Sequence, residues 1–192
     1  MESKLFTPVT FGPLTLRNRT IRSAAFESMC PGNAPSDMLL DYHRSVAAGG
    51  IGMTTVAYAA VTQSGLSFDR QLWMRPEIIP GLRRLTDAIH AEGAAAGIQL
   101  GHCGNMSHKS ICGCMPVGAS SGFNLYSPTF VRGLRADELP EMARAYGRSV
   151  NLAREAGFDS VEIHAGHGYL ISQFLSPSTN HRKDEFGGSL QN

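Results

Sequence analysis

A unit made of a helix, a glycine and a short apolar strand occurs three times along this chain, and it constrains the fold more than any other feature. The three copies run over residues 46–58, 88–102 and 152–167. Each strand ends in polar or aromatic residues. Strands that alternate with helices in this way are parallel strands joined by helical crossovers. The pattern therefore predicts an α/β protein with a parallel sheet.

Hydrophobic periodicity and turn residues give the expected elements. A lead-in over residues 1–19, irregular and with turns at its prolines, is expected to cover one end of the core. The predicted strands are residues 20–26, a segment ending near Tyr58, residues 96–100 and a segment opening at Val161. Of the predicted helices, the first begins at a Ser36 cap and ends at Gly49, and the second spans 77–92. The third spans 138–155 after an Asp137 cap, and a fourth begins near Tyr169. In the helix over 77–92, Ile78, Leu82, Leu85 and Ile89 should face the sheet, and in the helix over 138–155, Leu139, Met142, Ala143, Tyr146 and Val150 should point inward.

Four strands with three complete helices amount to half of a familiar architecture. A closed (β/α)8 TIM barrel takes about 250 residues, and this chain has 192. The prediction is a (β/α)8 TIM barrel with only about the first four β/α units present, so that residues 1–192 are the N-terminal half of a single domain. Residues 103–136 form the longest irregular stretch and are expected to be a loop over the C-terminal rim, because long loops in compact domains usually cover a site.

Composition and charge exclude several classes of partner. The formal net charge is +1 and no long run of like charge occurs, so neither nucleic acid nor an acidic membrane surface is expected as a partner. The uncharged run over residues 45–68 contains several glycines and hydroxyl residues, and is better explained by a buried helix end and strand than by a membrane span. No secretory signal opens the chain, so a cytoplasmic location is expected.

The four cysteines are Cys30, Cys103, Cys112 and Cys114. Their spacing matches neither a paired zinc framework nor an iron–sulfur run, and free thiols are expected. The segment from His102 to Cys114, which includes His108, holds residue types that bind zinc, but its spacing fits no common structural site. We therefore expect no bound metal.

Parallel strands bring their C-terminal ends to one rim, where the candidate site residues should meet. The candidates are Phe26 and Glu27 after the first strand, Tyr58 after the second, Gln99 and His102 at the third, and His164, His167 and Tyr169 at the fourth. On a strand His164 and His167 would point to opposite faces, whereas a turn lets both point inward. Neutral imidazoles can donate hydrogen bonds to a carbonyl or an oxyanion, and a phenol can donate a proton. The alternative for the two histidines is a capping or core role.

The run EIHAGHGYLISQFLSP over 162–177, continued by NHRKDEFGGS over 180–189, resembles the signature of the old yellow enzyme family, the FMN-dependent NADH:flavin oxidoreductases and ene-reductases. Further similar segments are LFTP at 5–8, LTLRNR at 14–19, GGIG at 49–52 and IQLGH at 98–102. The resemblance covers essentially the whole chain. It implies a (β/α)8 barrel that holds FMN non-covalently at its C-terminal rim.

The resemblance also implies roles for individual residues. Those implied to contact FMN are Gln99, through its amide, and Ala25, Phe26, Ala57 and Tyr58. His164 and His167 resemble the two donors to the carbonyl oxygen of the substrate, and Tyr169 resembles the proton donor. The implied reaction carries a hydride from NADH or NADPH through FMN to the β-carbon of an electron-poor, α,β-unsaturated alkene, while Tyr169 protonates the α-carbon.

Three departures from the family pattern bear on these expectations. Phe26 stands where many members have a threonine or cysteine that tunes the flavin, and Asn105 stands where many place an arginine. The family continues through four more strands beyond Asn192. Because a half barrel leaves two sheet edges unpaired, we expect a missing C-terminal half or a homo-oligomer.

Two alternatives to the ene-reductase stay open. Within the family, the chain could be part of a dienoyl-CoA-reductase-like or amine-dehydrogenase-like flavoenzyme whose iron–sulfur cluster lies beyond Asn192. From another class, it could be a non-catalytic half barrel that serves as a binding or assembly module. In either case Arg182 and Asp184 are expected to fix their loop with an ion pair, and Gly187 and Gly188 to form a turn.

Overall fold

The fold is that of a computed structural model, in which residues 3–189 and 191 are described. In this part of the chain the strands are β1 Val9–Phe11, β2 Leu14–Leu16, β3 Ile21–Arg22, β4 Met53–Ala60, β5 Ala95–Gly101, β6 Val117–Gly118, β7 Gly122–Asn124, β8 Thr129–Gly133 and β9 Ser160–Ile163. The α-helices are α1 Asp37–Ala48, α2 Ile79–Ala91, α3 Lys109–Cys112, α4 Leu139–Glu155 and α5 Leu170–Leu175.

A four-stranded parallel sheet in the order β3-β4-β5-β9 forms the centre of the molecule. Helices α1, α2 and α4 connect consecutive strands of this sheet. Because each crossover returns the chain to the same end, all four strands present their carboxyl ends at one rim. The predicted α/β fold with a parallel sheet is confirmed.

The core lies between one face of the sheet and these helices. Val56, Ile98 and Leu100 supply the sheet side. Helix α2 supplies Leu82, Leu85 and Ile89, each 0% exposed, so its predicted apolar stripe is confirmed. Burying a leucine or isoleucine side chain contributes about 1.5–3 kcal/mol each, so this layer stabilises the fold.

The lead-in is more regular than predicted. Strands β1 and β2 pair as an antiparallel hairpin around the Gly12 turn, while residues 1 and 2 of the predicted lead-in lie outside the described residues. Behind the hairpin, Arg17 donates hydrogen bonds to the carbonyls of Ala47 and Ile51 at 2.6 and 2.9 Å. Ala47 lies in the last turn of α1, and Ile51 lies two residues before β4. The lead-in is therefore fixed to the amino-terminal end of the sheet.

The first strand is shorter than the predicted 20–26, because pairing stops after Arg22. The next backbone donor of β4 in reach, the amide of Ala57, is taken by the side chain of Glu27 at 3.2 Å. The Glu27 carboxylate thus accepts the hydrogen bond that a backbone carbonyl of β3 would otherwise accept. The backbone over 23–26 therefore does not continue the sheet.

Three expectations about the later part of the chain are also corrected. Residues 103–136 are not one irregular loop, since they contain α3 and a small sheet in the order β6-β8-β7. Asp137 does not cap α4, because a 3-10 turn over Ala136–Glu138 precedes the helix and the N-cap position falls on Glu138. Ala143 is exposed rather than inward, because Ala145 and Ser149 take the buried positions.

None of the helices in the described residues combines the length and apolar character needed to cross a lipid bilayer.

Candidate active site at the carboxyl ends of the strands

An irregularity in β4 shapes the site, because its register with β5 shifts between Val56 and Ala59. Both of these residues belong to the core between the sheet and the helices. The two residues between them, Ala57 and Tyr58, are therefore both turned to the opposite face, as in a β-bulge. Gln99 lies opposite them on β5.

The Tyr58 side chain crosses this face toward β9. Its hydroxyl lies 3.2 Å from that of Tyr169, and it also bonds to the Ser67 hydroxyl. A Cβ on Gly101 would lie 3.2 Å from the Tyr58 ring and 3.4 Å from the Cβ of His164. The glycine at the end of β5 thus permits Tyr58 and His164 to approach each other, with ring centroids 6.0 Å apart.

The two histidines predicted to face inward do meet. His167 Nδ1 lies 2.9 Å from His164 Nε2, and the His164 ring stands edge-on to that of Tyr169 with centroids 5.1 Å apart. His167 has a φ of 57°, a left-handed conformation that is unusual outside glycine and accumulates at functional sites. This turn is what brings both imidazoles to the same side after the strand.

Burial lowers the pKa of His164, and the neighbouring His167 lowers it further, against a smaller opposing effect of Glu162. His164 is therefore neutral near pH 7. A neutral imidazole keeps one N–H donor, and in the tautomers that carry this proton on His164 Nε2 and His167 Nδ1 both nitrogens can donate to a single acceptor that lies beside the pair. A carbonyl or developing oxyanion fits that description.

Gln173, which the sequence reasoning did not single out, holds this turn in place. Its side chain is 1% exposed and donates to the carbonyl of Gly168 at 2.7 Å and to Asn105 Oδ1 at 2.9 Å. The amide of Asn105 donates back to Gln173 Oε1 at 3.2 Å. The feature of the sequence that could have identified Gln173 is its position one helical turn after Tyr169. Asn105 is thereby engaged in bracing the turn.

Gln99 donates from Nε2 to Glu162 Oε1 at 2.6 Å on the neighbouring strand. Gln99 is buried, with 8% of the residue exposed, and its carboxamide carries both a donor and an acceptor. The edge of a flavin ring alternates the same two functions, so the side chain fits FMN chemically. On the same face of β5, Gly101 gives space to the Tyr58 ring and to His164.

The segment after β3 borders the same rim. Phe26 stacks on Phe68 with centroids 4.5 Å apart and lies 6.2 Å from the Tyr58 ring. Ala25 is exposed beside it, and its carbonyl accepts a hydrogen bond from Arg22. Glu27, by contrast, turns away into a buried network with Arg22 and His43 at 3.0 and 3.2 Å.

His102 does not join the site. It is 0% exposed, its Nδ1 accepts from the Gly104 amide at 3.0 Å, and its Nε2 bonds to Ser64. Burial lowers its pKa to about 4.

All four cysteines are free, and within residues 3–189 and 191 no three His, Cys, Asp or Glu side chains are grouped to hold a metal ion.

A cavity of about 580 Å³ opens beside the turn that carries His164 and His167, which we call the histidine turn. The residues that line it come from several separate segments and include Asn105, Ser120, Tyr126, His167 and His181. The strands β7 and β8 border it on the outer side. Arg182 closes the neighbouring loop through the predicted ion pair with Asp184. The histidine turn is thus accessible to solvent through this cavity.

Comparison with known proteins gives concordant results. A family model described as "NADH:flavin oxidoreductase / NADH oxidase family" matches residues 4–192. The chain is 43% identical over 97% of its length to a 4,4'-dithiodibutanoate disulfide reductase of Rhodococcus erythropolis, and 36% identical over 100% of its length to an NADPH dehydrogenase of Bacillus subtilis. The structure of the old yellow enzyme homologue from Zymomonas mobilis superposes with a TM-score of 0.92 at 29% identity, covering 99% of this chain and 56% of that one.

The chain spans about half the length of the curated relatives it matches, namely 46% of the disulfide reductase and 57% of the NADPH dehydrogenase.

Proposed function

The chain belongs to the NADH:flavin oxidoreductase / NADH oxidase family, and on that premise we propose that it forms the N-terminal half of an FMN-dependent enzyme that reduces activated alkenes with NADH or NADPH. The proposed acceptor is an α,β-unsaturated compound whose carbonyl or equivalent oxygen accepts hydrogen bonds from both His164 and His167. Tyr169 is the proposed proton donor.

One observation carries this proposal: two imidazole nitrogens 2.9 Å apart and a phenol meet at the rim that also holds Gln99. An alkene conjugated to a carbonyl becomes enolate-like as a hydride reaches its β-carbon. Donors fixed at the oxygen bind that charge more tightly than they bind the neutral carbonyl, which lowers the barrier. The phenol then supplies the proton that the α-carbon requires.

FMN, when bound, would accept a hydride from the nicotinamide and pass it to the alkene. For the ring we assign the amide of Gln99 and the segments around Ala25, Phe26, Ala57 and Tyr58. The phosphate we assign to β/α units beyond Asn192, since barrel enzymes often bind phosphate after their seventh and eighth strands.

The test separates the two half-reactions in the FMN-loaded full-length protein. Stopped-flow absorbance follows the bleaching of the flavin by NADPH or NADH, and then its return when an α,β-unsaturated ketone is added. Tyr169→Phe should slow the return by about 10²- to 10⁴-fold, the usual contribution of a positioned general acid, and leave the bleaching unchanged. Equal slowing of both steps would remove Tyr169 from the proposed role.

A disulfide is a second candidate acceptor, because a relative 43% identical to the chain is named as a disulfide reductase. Reduction of a disulfide by a hydride breaks the S–S bond into a thiol and a thiolate, and Tyr169 could protonate the thiolate. Steady-state rates with 4,4'-dithiodibutanoate and with a cyclic enone separate the candidates. A kcat/KM at least tenfold higher for the disulfide would favour it.

The remaining half of the barrel is also a proposal. In the described residues the central sheet has β3 and β9 at its edges, and exposed strand edges invite pairing. Ile163 on β9 is 46% exposed, although its residue type favours burial. We propose that four further β/α units cover this edge, with a second copy as the alternative. Reading the coding region in frame past Asn192 decides between them.

A further inference from the structure

We propose that Tyr58 is a positioning residue for the proton step: its hydroxyl donates to the Tyr169 hydroxyl and returns a proton to it from Ser67. The inference rests on the proposed role of Tyr169 as proton donor. Nothing in the sequence pattern assigned the Tyr58 hydroxyl a function, because the expectation for this position concerned contact with FMN.

The geometry gives the hydrogen bond a direction. Tyr58 donates and Tyr169 accepts, with 3.2 Å between the two oxygens. Since Tyr169 accepts from Tyr58, its own O–H hydrogen is not used on Tyr58 and is free to point into the site. Once that proton has moved to a substrate carbon, Tyr169 is left as a phenolate. The Tyr58 donor then faces a full negative charge, and hydrogen bonds to charged acceptors are the stronger kind.

The other side of Tyr58 offers a source of protons. Its oxygen also bonds to the Ser67 hydroxyl, and Ser67 is partly exposed. Gln71 fixes this loop, because its Oε1 accepts from the Ser67 amide at 2.8 Å. Ser67, Tyr58 and Tyr169 thus form a continuous chain of hydroxyls from the surface to the rim.

The proton count along this chain balances. The substrate carbon takes the proton of Tyr169, Tyr169 takes that of Tyr58, Tyr58 takes that of Ser67, and Ser67 takes one from water. Each oxygen gives one proton and receives one, so the net transfer is one proton from solvent to substrate. The electrons come from the hydride of the proposed reaction.

The environment keeps Tyr58 in the protonated form that a donor requires. Its side chain is 4% exposed, and burial raises its pKa well above the usual range. The bulge in β4 holds it there, and Gly101 gives its ring the necessary space.

A nitroalkene resolves the proton step from the hydride step, because the anion left after hydride addition is a stabilised nitronate that absorbs in the near ultraviolet. The FMN-loaded full-length enzyme is compared with its Tyr58→Phe, Ser67→Ala and Tyr169→Phe variants. Protonation is also measured alone by adding preformed nitronate to the oxidised enzyme. Tyr146→Phe is the matched control, since it removes the hydroxyl of a tyrosine that packs against the core from α4.

We expect Tyr58→Phe to slow nitronate protonation about 10- to 100-fold while hydride transfer stays within about twofold, which is the effect of losing a hydrogen bond to a charged group. Ser67→Ala should slow the same step to a smaller extent. Protonation at the wild-type rate in Tyr58→Phe, together with slow protonation in Tyr169→Phe, overturns this inference and leaves the proposed function intact. Equal slowing of hydride transfer and protonation assigns Tyr58 a purely structural role. Unchanged protonation in Tyr169→Phe overturns the proposed function itself.

Discussion

At the amino-terminal end of the central sheet, Arg17 and Asn18 give their side-chain donors to backbone carbonyls, whereas at the carboxyl end Tyr58, His164 and His167 bond to other side chains. The carbonyls at the first end belong to the last turn of α1 and to the segment between α1 and β4, where regular helix bonds leave carbonyls available to side-chain donors. A donor in such a position stabilises the fold and is permanently engaged.

At the carboxyl end, the bonds join groups that a ligand can also satisfy. The contact between His164 and His167 can be replaced by two contacts to one oxygen atom, with little cost to the backbone. The same kinds of polar side chain therefore contribute to stability at one end of the strands and are available for chemistry at the other. Variants at the two ends should separate stability from turnover.

The largest expected effect is on turnover at the carboxyl end. His164→Ala removes one of the two proposed oxyanion donors, and the loss of such a donor costs about 10²- to 10³-fold in rate. We expect that loss in kcat for alkene reduction, with a thermal midpoint within a few degrees of wild type. His167→Asn, which keeps an N–H donor, should retain more activity than His167→Ala.

His90 provides the control from the opposite end of the molecule. It lies in the last turn of α2 and bonds to Asp159 just before β9 at 2.8 Å. His90→Ala should leave alkene reduction unchanged. A comparable loss of turnover in His90→Ala and His164→Ala would contradict the division between the two ends.

The next effect is on stability at the amino-terminal end. Asn18 is 8% exposed, donates to the Gly50 carbonyl at 2.7 Å, and accepts from the Thr20 hydroxyl at 2.6 Å. Asn18→Ala leaves these buried groups without partners, at about 1–3 kcal/mol for an unsatisfied group. Urea unfolding should show a loss of about 2 kcal/mol, with unchanged kcat for the folded enzyme. Arg19→Ala, at an exposed neighbour, is the control and should change stability by less than about 0.5 kcal/mol.

His102 lies at the carboxyl end of the sheet, but it contributes to stability, as the polar residues at the amino-terminal end do. The pH dependence of the unfolding free energy should show this contribution. Its pKa falls from the ordinary 6.5 to about 4 in the folded state. Between these values the unfolded chain binds a proton that the folded chain does not, so stability is lost as the pH drops through this window. The slope for one proton is about 1.4 kcal/mol per pH unit.

The measurement is urea unfolding at several pH values between about 7 and 4. His102→Gln carries no titrating group, and its unfolding free energy should fall less steeply with decreasing pH than that of wild type. Parallel lines for the two proteins would show that His102 is not the residue that titrates.

The sequence was sufficient for the parallel sheet and for the rim, since both follow from periodicity and strand direction. The stripe of Leu82, Leu85 and Ile89 could be predicted from helical spacing alone. The sequence could not predict that His102 lies outside the site while His164 lies in it. This difference arises from contacts between residues that are far apart in the sequence. His102 is enclosed by Ser64 and by the backbone of Gly65, both far from it in sequence.

The orientation of Tyr58 shows the same limit. Strand alternation would place Ala57 and Tyr58 on opposite faces, but the bulge puts both on one. The bulge depends on pairing with β5 and on the carboxylate of Glu27, which lies 30 residues away from Ala57. Local patterns carry no information about such a contact. The shortness of β3 has the same cause.

The smallest effect tests whether position at the carboxyl end is enough to make a polar group functional. Ser36 lies at this end as the N-cap of α1, where its Oγ accepts from the Leu39 amide at 3.1 Å and donates to the Met29 carbonyl at 2.6 Å. Both bonds go to backbone, as at the opposite end of the sheet. Ser36→Ala should therefore cost about 1 kcal/mol of unfolding free energy and leave alkene reduction unchanged. Ser45→Ala, which loses only a bond to the Tyr42 carbonyl on an exposed surface, should cost less. A Ser36→Ala enzyme with lowered turnover and unaltered stability would show that bonding to backbone does not distinguish the structural groups from the functional ones.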